Sequence, residues 1–272
     1  MNLLRLSAHG VVYYVSPGLQ RCGVPHAFST RIGGSSPAPF ESFNLGNPGG
    51  TVRDDSARIV SHYRQLEELI GAAGRERCWV HQIHGPVFVH VRTGAAHDNS
   101  AKADALLTSD PARVLSVRVA DCCPVLLATL DGAFVAAIHA GWRGVVAGVL
   151  PATLAALLKE SSASPASVCA AIGPCIGREA FEVGTDVLDA FHRVFGSSAP
   201  IDRRTGDKGR ADIRAGLRWQ LLESGVPEMQ IDSLDLCTVS NPEEFYSHRR
   251  DQGVTGRMAA LIGPAQSRFQ SR

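Results

Sequence analysis

Three apolar runs follow one another almost without pause in the middle of the chain, at residues 113–119, 124–129 and 133–139. Each is short, rich in Val, Leu, Ile and Ala, and bounded by polar or turn-forming residues, which is the pattern of a strand. Asp131-Gly132, between the last two, is a hairpin signal. A mostly apolar helix, expected over residues 144–160, packs against the sheet these strands form. Around this centre the punctuation is irregular. Residues 32–50, rich in Gly, Ser, Pro and Asn, are expected to form a long loop, and residues 93–103 a second one. A helix is expected over 51–73, where Ile59, Tyr63, Leu66 and Ile70 recur at helical spacing. Further strands are expected at 87–91, 168–172 and 233–239, further helices at 181–195 and 212–224, and a loose polar tail at 266–272. Strands cluster and helices intervene without a βαβ rhythm. The expected fold class is therefore α+β: one layered domain over residues 1–272, with mixed β-sheets flanked by helices.

Composition narrows the function. Lys and Arg number 27 and Asp and Glu 26, a net charge of +1, so the chain has no overall field for nucleic acid or an anionic membrane. An anionic substrate would have to be met by local arginines. No run of about 18 apolar residues offers a membrane span, and the N-terminus lacks the apolar core of a targeting segment. Seven cysteines, an odd number without a CxxC pair, point to reduced thiols and a cytoplasmic location. No GxGxxG or Walker loop follows a strand.

Three short motifs carry residues of chemical interest: His81-Gln82-Ile83-His84-Gly85, Ala120-Asp121-Cys122-Cys123-Pro124 and His139-Ala140-Gly141-Trp142-Arg143-Gly144. Each lies where a strand is expected to begin or end, so their side chains can converge. Imidazole and thiolate suit zinc, and three protein ligands with an open fourth position mark a catalytic site. His84, Cys122 and His139 would make such a set. A Cys–His catalytic pair without metal is the competing reading, and histidines satisfied by the fold are a third. On a strand His81 and His84 would face opposite sides, so at most one of them is a ligand.

These motifs occur with five others in order: Phe28-Ser29-Thr30-Arg31-Ile32-Gly33-Gly34, Ser42-Phe43-Asn44-Leu45-Gly46, Ala103-Asp104-Ala105-Leu106, Ile172-Gly173-Pro174-Cys175-Ile176 and Phe245-Tyr246-Ser247-His248-Arg249-Arg250-Asp251. Together they resemble, over almost the whole chain, the family variously called YfiH-like, DUF152, multi-copper polyphenol oxidoreductase laccase, or purine nucleoside phosphorylase of the laccase-domain type. The resemblance implies zinc bound by His84, Cys122 and His139. It implies phosphorolysis of adenosine, inosine, guanosine and methylthioadenosine, with adenosine deamination as a side activity. Editing of peptidoglycan precursors by a zinc or Cys–His hydrolase, and copper phenol oxidation, are the alternatives attached to the same family. The residues speak against the last, because the ten histidines are scattered and none forms an HxH pair. One His2Cys site cannot reduce oxygen by four electrons, and such a site suits zinc better than copper.

Phosphorolysis requires that phosphate be held and the departing purine stabilised. Arg31, Arg143, Arg249 and Arg250 lie within the matched motifs, and the arginine fork suits phosphate. Arg143 is placed with the catalytic residues. His81 is the candidate general acid/base, Asn44 a candidate for ribose hydroxyls or base edges, and Cys175 a candidate for the pocket wall. The expected partners are small nucleosides and phosphate, and an apolar face could pair two chains into a homodimer.

Overall fold

The structure, a computed structural model, describes residues 1–203 and 206–266. Two six-stranded sheets pack face to face. The first runs, in spatial order, Leu4–Ala8, Val11–Val15, His26–Ser29, Met258–Ile262, Arg113–Val119 and Glu76–Cys78. The second runs Ile231–Ser233, Val168–Ile172, Cys123–Thr129, Val135–Ala140, Ala105–Thr108 and Phe88–Val91. Antiparallel pairing dominates, but the Glu76–Cys78, Ile231–Ser233 and Phe88–Val91 edges pair in parallel, so both sheets are mixed as expected.

Strand periodicity explains the layers. Leu126, Ala128, Val135 and Ala137 of the second sheet face Val117, Val119, Ala260 and Ile262 of the first and fill the space between the sheets. Their neighbours Val125, Leu127, Ala136 and Ile138 point outward beneath Val149, Leu150, Leu154, Leu217 and Leu221 of two helices, Val149–Ser161 and Ile213–Glu223. On the opposite side Val114, Ala259 and Leu261 lie beneath Tyr63 and Leu66 of the Ser56–Leu69 helix, with Phe43 and Leu45. The result is helix, sheet, sheet, helix. Strands covered on both faces have no polar alternation, which is why the central runs are so uniformly apolar. Glu182–Gly184, Lys208–Ala211 and Ile201–Arg203 form a small third sheet.

Several elements differ from expectation for identifiable reasons. The helix expected over 144–160 is two, Trp142–Val146 and Val149–Ser161, separated by Gly148 at φ +80°. A continuous helix would drive the Pro151 ring into the carbonyl of Ala147, and the left-handed glycine removes that clash. The helix expected over 51–73 starts at Ser56 because Asp55 caps it, accepting from Ala57 N at 2.8 Å. The helix expected over 181–195 begins only at Thr185, since Glu182–Gly184 pairs with Lys208–Ala211. The strand expected at 233–239 lies earlier, at Ile231–Ser233, where it pairs with Val168–Ile172. The outer strands of the first sheet had no counterpart in the expectations. The tail expected to be loose lies, beyond Gln266, outside the described residues. Among the described residues no helix is long and apolar enough to cross a membrane.

Candidate metal centre and its cavity

The sandwich brings the three motifs together at one end of the sheets. His84, Cys122 and His139 place their ligand atoms within 4.8 Å of one another. Three ligands about 2.0–2.3 Å from a tetrahedral ion stand roughly 3.3–3.8 Å apart, so this nitrogen, sulfur and nitrogen set could hold one metal ion after a small inward shift of the side chains. The imidazoles of His84 and His139 meet edge to face, with ring centroids 4.9 Å apart. Gly141 makes the approach feasible: a Cβ there would stand 2.9 Å from His84 Cδ2 and 3.0 Å from Cys122 Sγ.

Asp104 organises the cluster. Its side chain is fully buried, and one oxygen accepts from His139 Nδ1 at 2.8 Å. That bond fixes the tautomer and leaves Nε2 of His139 free to face the thiol. The same carboxylate accepts from three successive backbone N–H groups, those of Ile83 (3.2 Å), His84 (2.9 Å) and Gly85 (2.7 Å). It thereby holds the His84 turn, whose φ of +60° is left-handed. Burial acts against the charge on Asp104, but His139 and the Gly85 and His84 amides outweigh it and hold its pKa below the usual carboxylate value.

The cluster's own ionisation follows from its geometry. Burial alone would push the Cys122 thiol up; His139 and His84 beside it reverse this and hold it at about 6. Burial would lower His139, yet the Cys122 thiolate and the Asp104 carboxylate raise it to about 9. Without metal the pair is a thiolate against an imidazolium. With metal, the thiolate is already the species a cation requires.

The cluster forms the floor of a cavity of about 780 Å³, lined also by Trp142, Ile176 and Phe181 and by four arginines, Arg53, Arg118, Arg249 and Arg257. Asp121 is the one carboxylate on the wall, and its oxygens accept from Thr238 Oγ1 at 2.6 Å and Arg249 N at 2.7 Å. The cavity is therefore strongly cationic, although the chain as a whole is near neutral.

Of the other residues singled out in the sequence, His81 and Arg249 line this cavity. Arg249 leans on the Phe181 ring at 5.5 Å and donates to Glu182 O. Five are placed elsewhere. Arg143 is exposed and stacks on Trp142 at 4.4 Å. Arg31 donates to Glu41 O and Pro242 O and lies over Tyr246. Arg250 spends its guanidinium on both oxygens of Asp251 and on Thr238 O and Phe245 O. Cys175 is fully buried, with Arg214 Nη2 3.6 Å from its sulfur. Asn44 is also fully buried and accepts at Oδ1 from Gly46 N and Arg257 N. Arg31, Arg250, Cys175 and Asn44 are committed to contacts within the protein, whereas Arg143 stands exposed beside Trp142, which lines the cavity.

Asp104, Asp121 and His248 all lie inside motifs visible in the sequence, yet nothing in spacing alone assigned them a part. Arg118 and Arg257 lie outside those motifs. The one signal for Arg118 was a charge near the end of a mostly apolar strand, Arg113–Val119.

The family described as multi-copper polyphenol oxidoreductase laccase matches residues 25–265. The chain is 40% identical over 243 residues to the purine nucleoside phosphorylase YfiH of Escherichia coli (strain K12), covering 88% of this chain and 93% of that one. It is 34% identical over 259 residues to a purine nucleoside phosphorylase of Deinococcus radiodurans, covering 95% of each. Its structure resembles the crystal structure of YlmD from Geobacillus stearothermophilus, with a TM-score of 0.86 and 29% identity, covering 98% of this chain and 100% of that one.

Proposed function

Because the chain belongs to the multi-copper polyphenol oxidoreductase laccase family, and relatives within it carry the name purine nucleoside phosphorylase, we propose that it is a zinc-dependent purine nucleoside phosphorylase of the cytoplasm. Its substrates are adenosine, inosine, guanosine and methylthioadenosine, and adenosine deamination is its side activity. The observation that carries this reading is the His84–Cys122–His139 group on the floor of a cationic cavity that also presents Trp142 and Phe181.

Zinc held by those three side chains would supply a Lewis acid that polarises an oxygen and makes a water more acidic. The chain supplies the rest. Trp142, Ile176 and Phe181 offer apolar surface for a purine ring. In phosphorolysis a phosphate oxygen bonds to C1′ as the bond from C1′ to the purine nitrogen breaks. The electron pair leaves with the purine, which takes a proton, and we assign His81, which lines the cavity, as its donor. In deamination water adds at C6 of adenine and ammonia departs, and the same imidazole carries the proton. Asp104 keeps His139 oriented throughout.

A second reading, a Cys–His hydrolase editing peptidoglycan precursors, draws on the low pKa of Cys122. The two readings demand incompatible states of one sulfur, since a thiolate bound to zinc is not free to attack. Phenol oxidation is disfavoured by ligand number: among the described residues one three-ligand group is present, and four-electron reduction of oxygen draws on several coppers.

The test is metal analysis of the untagged protein purified without added metal, with adenosine and phosphate assayed for adenine and ribose 1-phosphate. About one zinc per chain together with ribose 1-phosphate supports the phosphorylase. A metal-free protein acylated at Cys122 supports the hydrolase, and several coppers per chain would restore the oxidase.

A further inference from the structure

We propose that Arg118 and Arg257 together form the seat of the attacking phosphate; the assignment of phosphate as occupant rests on the phosphorylase reading above. In the first sheet Arg118 stands opposite Ala259, and Arg257, which immediately precedes the adjacent strand Met258–Ile262, lies diagonally from it on the same side. Both side chains line the cavity whose floor is the His–Cys–His group. Two like charges on neighbouring stretches of backbone repel, and an anion lying between them relieves that repulsion.

The protein itself provides little compensation. Among the described residues no acceptor engages the Arg118 guanidinium, which is half-buried. Among the described residues Arg257 donates through Nη1 to two backbone carbonyls, Thr255 O and Gly256 O, and to no carboxylate. Burial, and then the charge of Arg118, hold its pKa below the usual arginine value. Asp121 and the Cys122 thiolate act on Arg257 in the opposite sense, but both oxygens of Asp121 already accept from Thr238 and Arg249.

Two distant segments are built around this pair. Asn44 Oδ1 accepts from Arg257 N at 2.9 Å. Gly46, two residues on, leaves room for the other arginine, since a Cβ there would stand 2.8 Å from Arg118 Cδ. The Gln82 amide clamps the Arg118 backbone, accepting from its N–H at 2.9 Å and donating to its carbonyl at 2.8 Å. Buried Asn44 and half-buried Gln82 thus fix the backbones of two arginines that line the cavity with the metal group and form no ion pair among the described residues. Two guanidinium forks there can hold a tetrahedral dianion bidentately. The other two arginines of the wall are less suited: Arg249 is turned onto Phe181, and Arg53 is exposed.

Arg118→Gln and Arg257→Gln are compared with the wild type in two measurements: the phosphate and nucleoside KM values, and the rise in melting temperature on adding inorganic phosphate. Arg193→Gln, on the exposed side of the Thr185–Phe195 helix, controls for loss of one charge. The expected result is a phosphate KM roughly 10–100-fold higher in each cavity variant with the nucleoside KM little changed, and a phosphate-induced stabilisation that disappears. Arg118→Lys, which keeps the charge without the fork, restores part of the loss and guards against a glutamine variant that folds poorly. If the wild type shows phosphorolysis and both glutamine variants keep its phosphate KM, the seat is refuted and the phosphorylase reading survives. If phosphate stabilises the wild type but neither glutamine variant, and no ribose 1-phosphate forms, the anion seat survives and the phosphorylase reading fails.

Discussion

The thiol of Cys122 stands on the cavity floor between His84 and His139, while that of Cys123, one residue on, turns to the outer face of the second sheet among Val125, Val149 and Cys175. The first is held at about 6 by two imidazoles that overcome its burial. Burial pushes the second up, and its hydrogen-bond acceptors are weak and distant, such as Gly173 O at 3.7 Å. The cause of this divergence is local. Asp121 has φ +83°, which swings Cys122 toward the cavity before the strand begins at Cys123. From there successive side chains alternate across the sheet. Reactivity in this pair is a property of the environment each backbone step selects.

The sharpest way to break the contrast is to remove one thiol. Cys122→Ala takes away the only anionic ligand of the group. Metal content should fall from about one per chain to near zero, and phosphorolysis by at least about 1,000-fold, since metal contributes several kcal/mol of transition-state stabilisation. Metal analysis and turnover on the same preparation check this. Retained metal and turnover would mean that Cys122 is as inert as its neighbour.

A smaller effect is expected one step removed. Asp104→Asn keeps the size of the side chain but replaces one of two accepting oxygens with a donor. His139 then loses its charged partner, and the 83–85 turn loses part of its anchor. Metal affinity should drop about 10–100-fold. Competition with a chelator of known affinity measures it, and an unchanged melting temperature of the metal-loaded variant would separate the effect from misfolding.

The limits of the sequence follow the same lines. The central strands were legible because apolar runs bounded by Asp131-Gly132 admit few alternatives. Val11–Val15 was not, although it is fully buried. Its hairpin partner Leu4–Ala8 is mostly exposed, and the turn between them uses His9-Gly10, with φ of +51° and +81°, where Asn-Gly would have announced it. The convergence of His84, Cys122 and His139 was legible because three motifs end at strand termini. The cationic wall was not. Arg118 and Arg257 are 139 positions apart, and only the register of Arg113–Val119 with Met258–Ile262 makes them neighbours. The motif arginines Arg31 and Arg250 carry the same side chain, but their donors face backbone carbonyls and Asp251, which spacing cannot show.

Removing the metal sharpens the comparison by pH. In the metal-free chain a thiol at about 6 is about 90% ionised at pH 7, against about 3% for an ordinary cysteine. Because the pKa is depressed, the thiolate persists on acidification until the pH falls through 6. Alkylation of Cys122 should therefore be nearly constant from pH 8 to 7 and decline below 6, as peptide mass analysis would show. Cys123, with a raised pKa and no exposed surface, should stay unmodified. Restoring zinc should protect Cys122, and modification of both thiols at equal rates would abolish the distinction.

The smallest effect belongs to the neighbour. Cys123→Ala removes a fully buried sulfur packed with Val125, Val149 and Cys175 behind the sheet. The loss is that of a small apolar group from a close-packed interior, with weak sulfur hydrogen bonds to Gly173 O and Pro124 O. A destabilisation of about 1–2 kcal/mol is expected, with metal content and turnover retained. Chemical denaturation of the metal-loaded protein reads the first, and metal analysis the second. The informative outcome is their combination. Stability lost with metal kept places Cys123 in the packing alone. Metal lost in step with stability would mean that the strand beginning at Cys123 sets the position of Cys122, and that the two thiols, opposite in environment, are coupled through the one peptide unit between them.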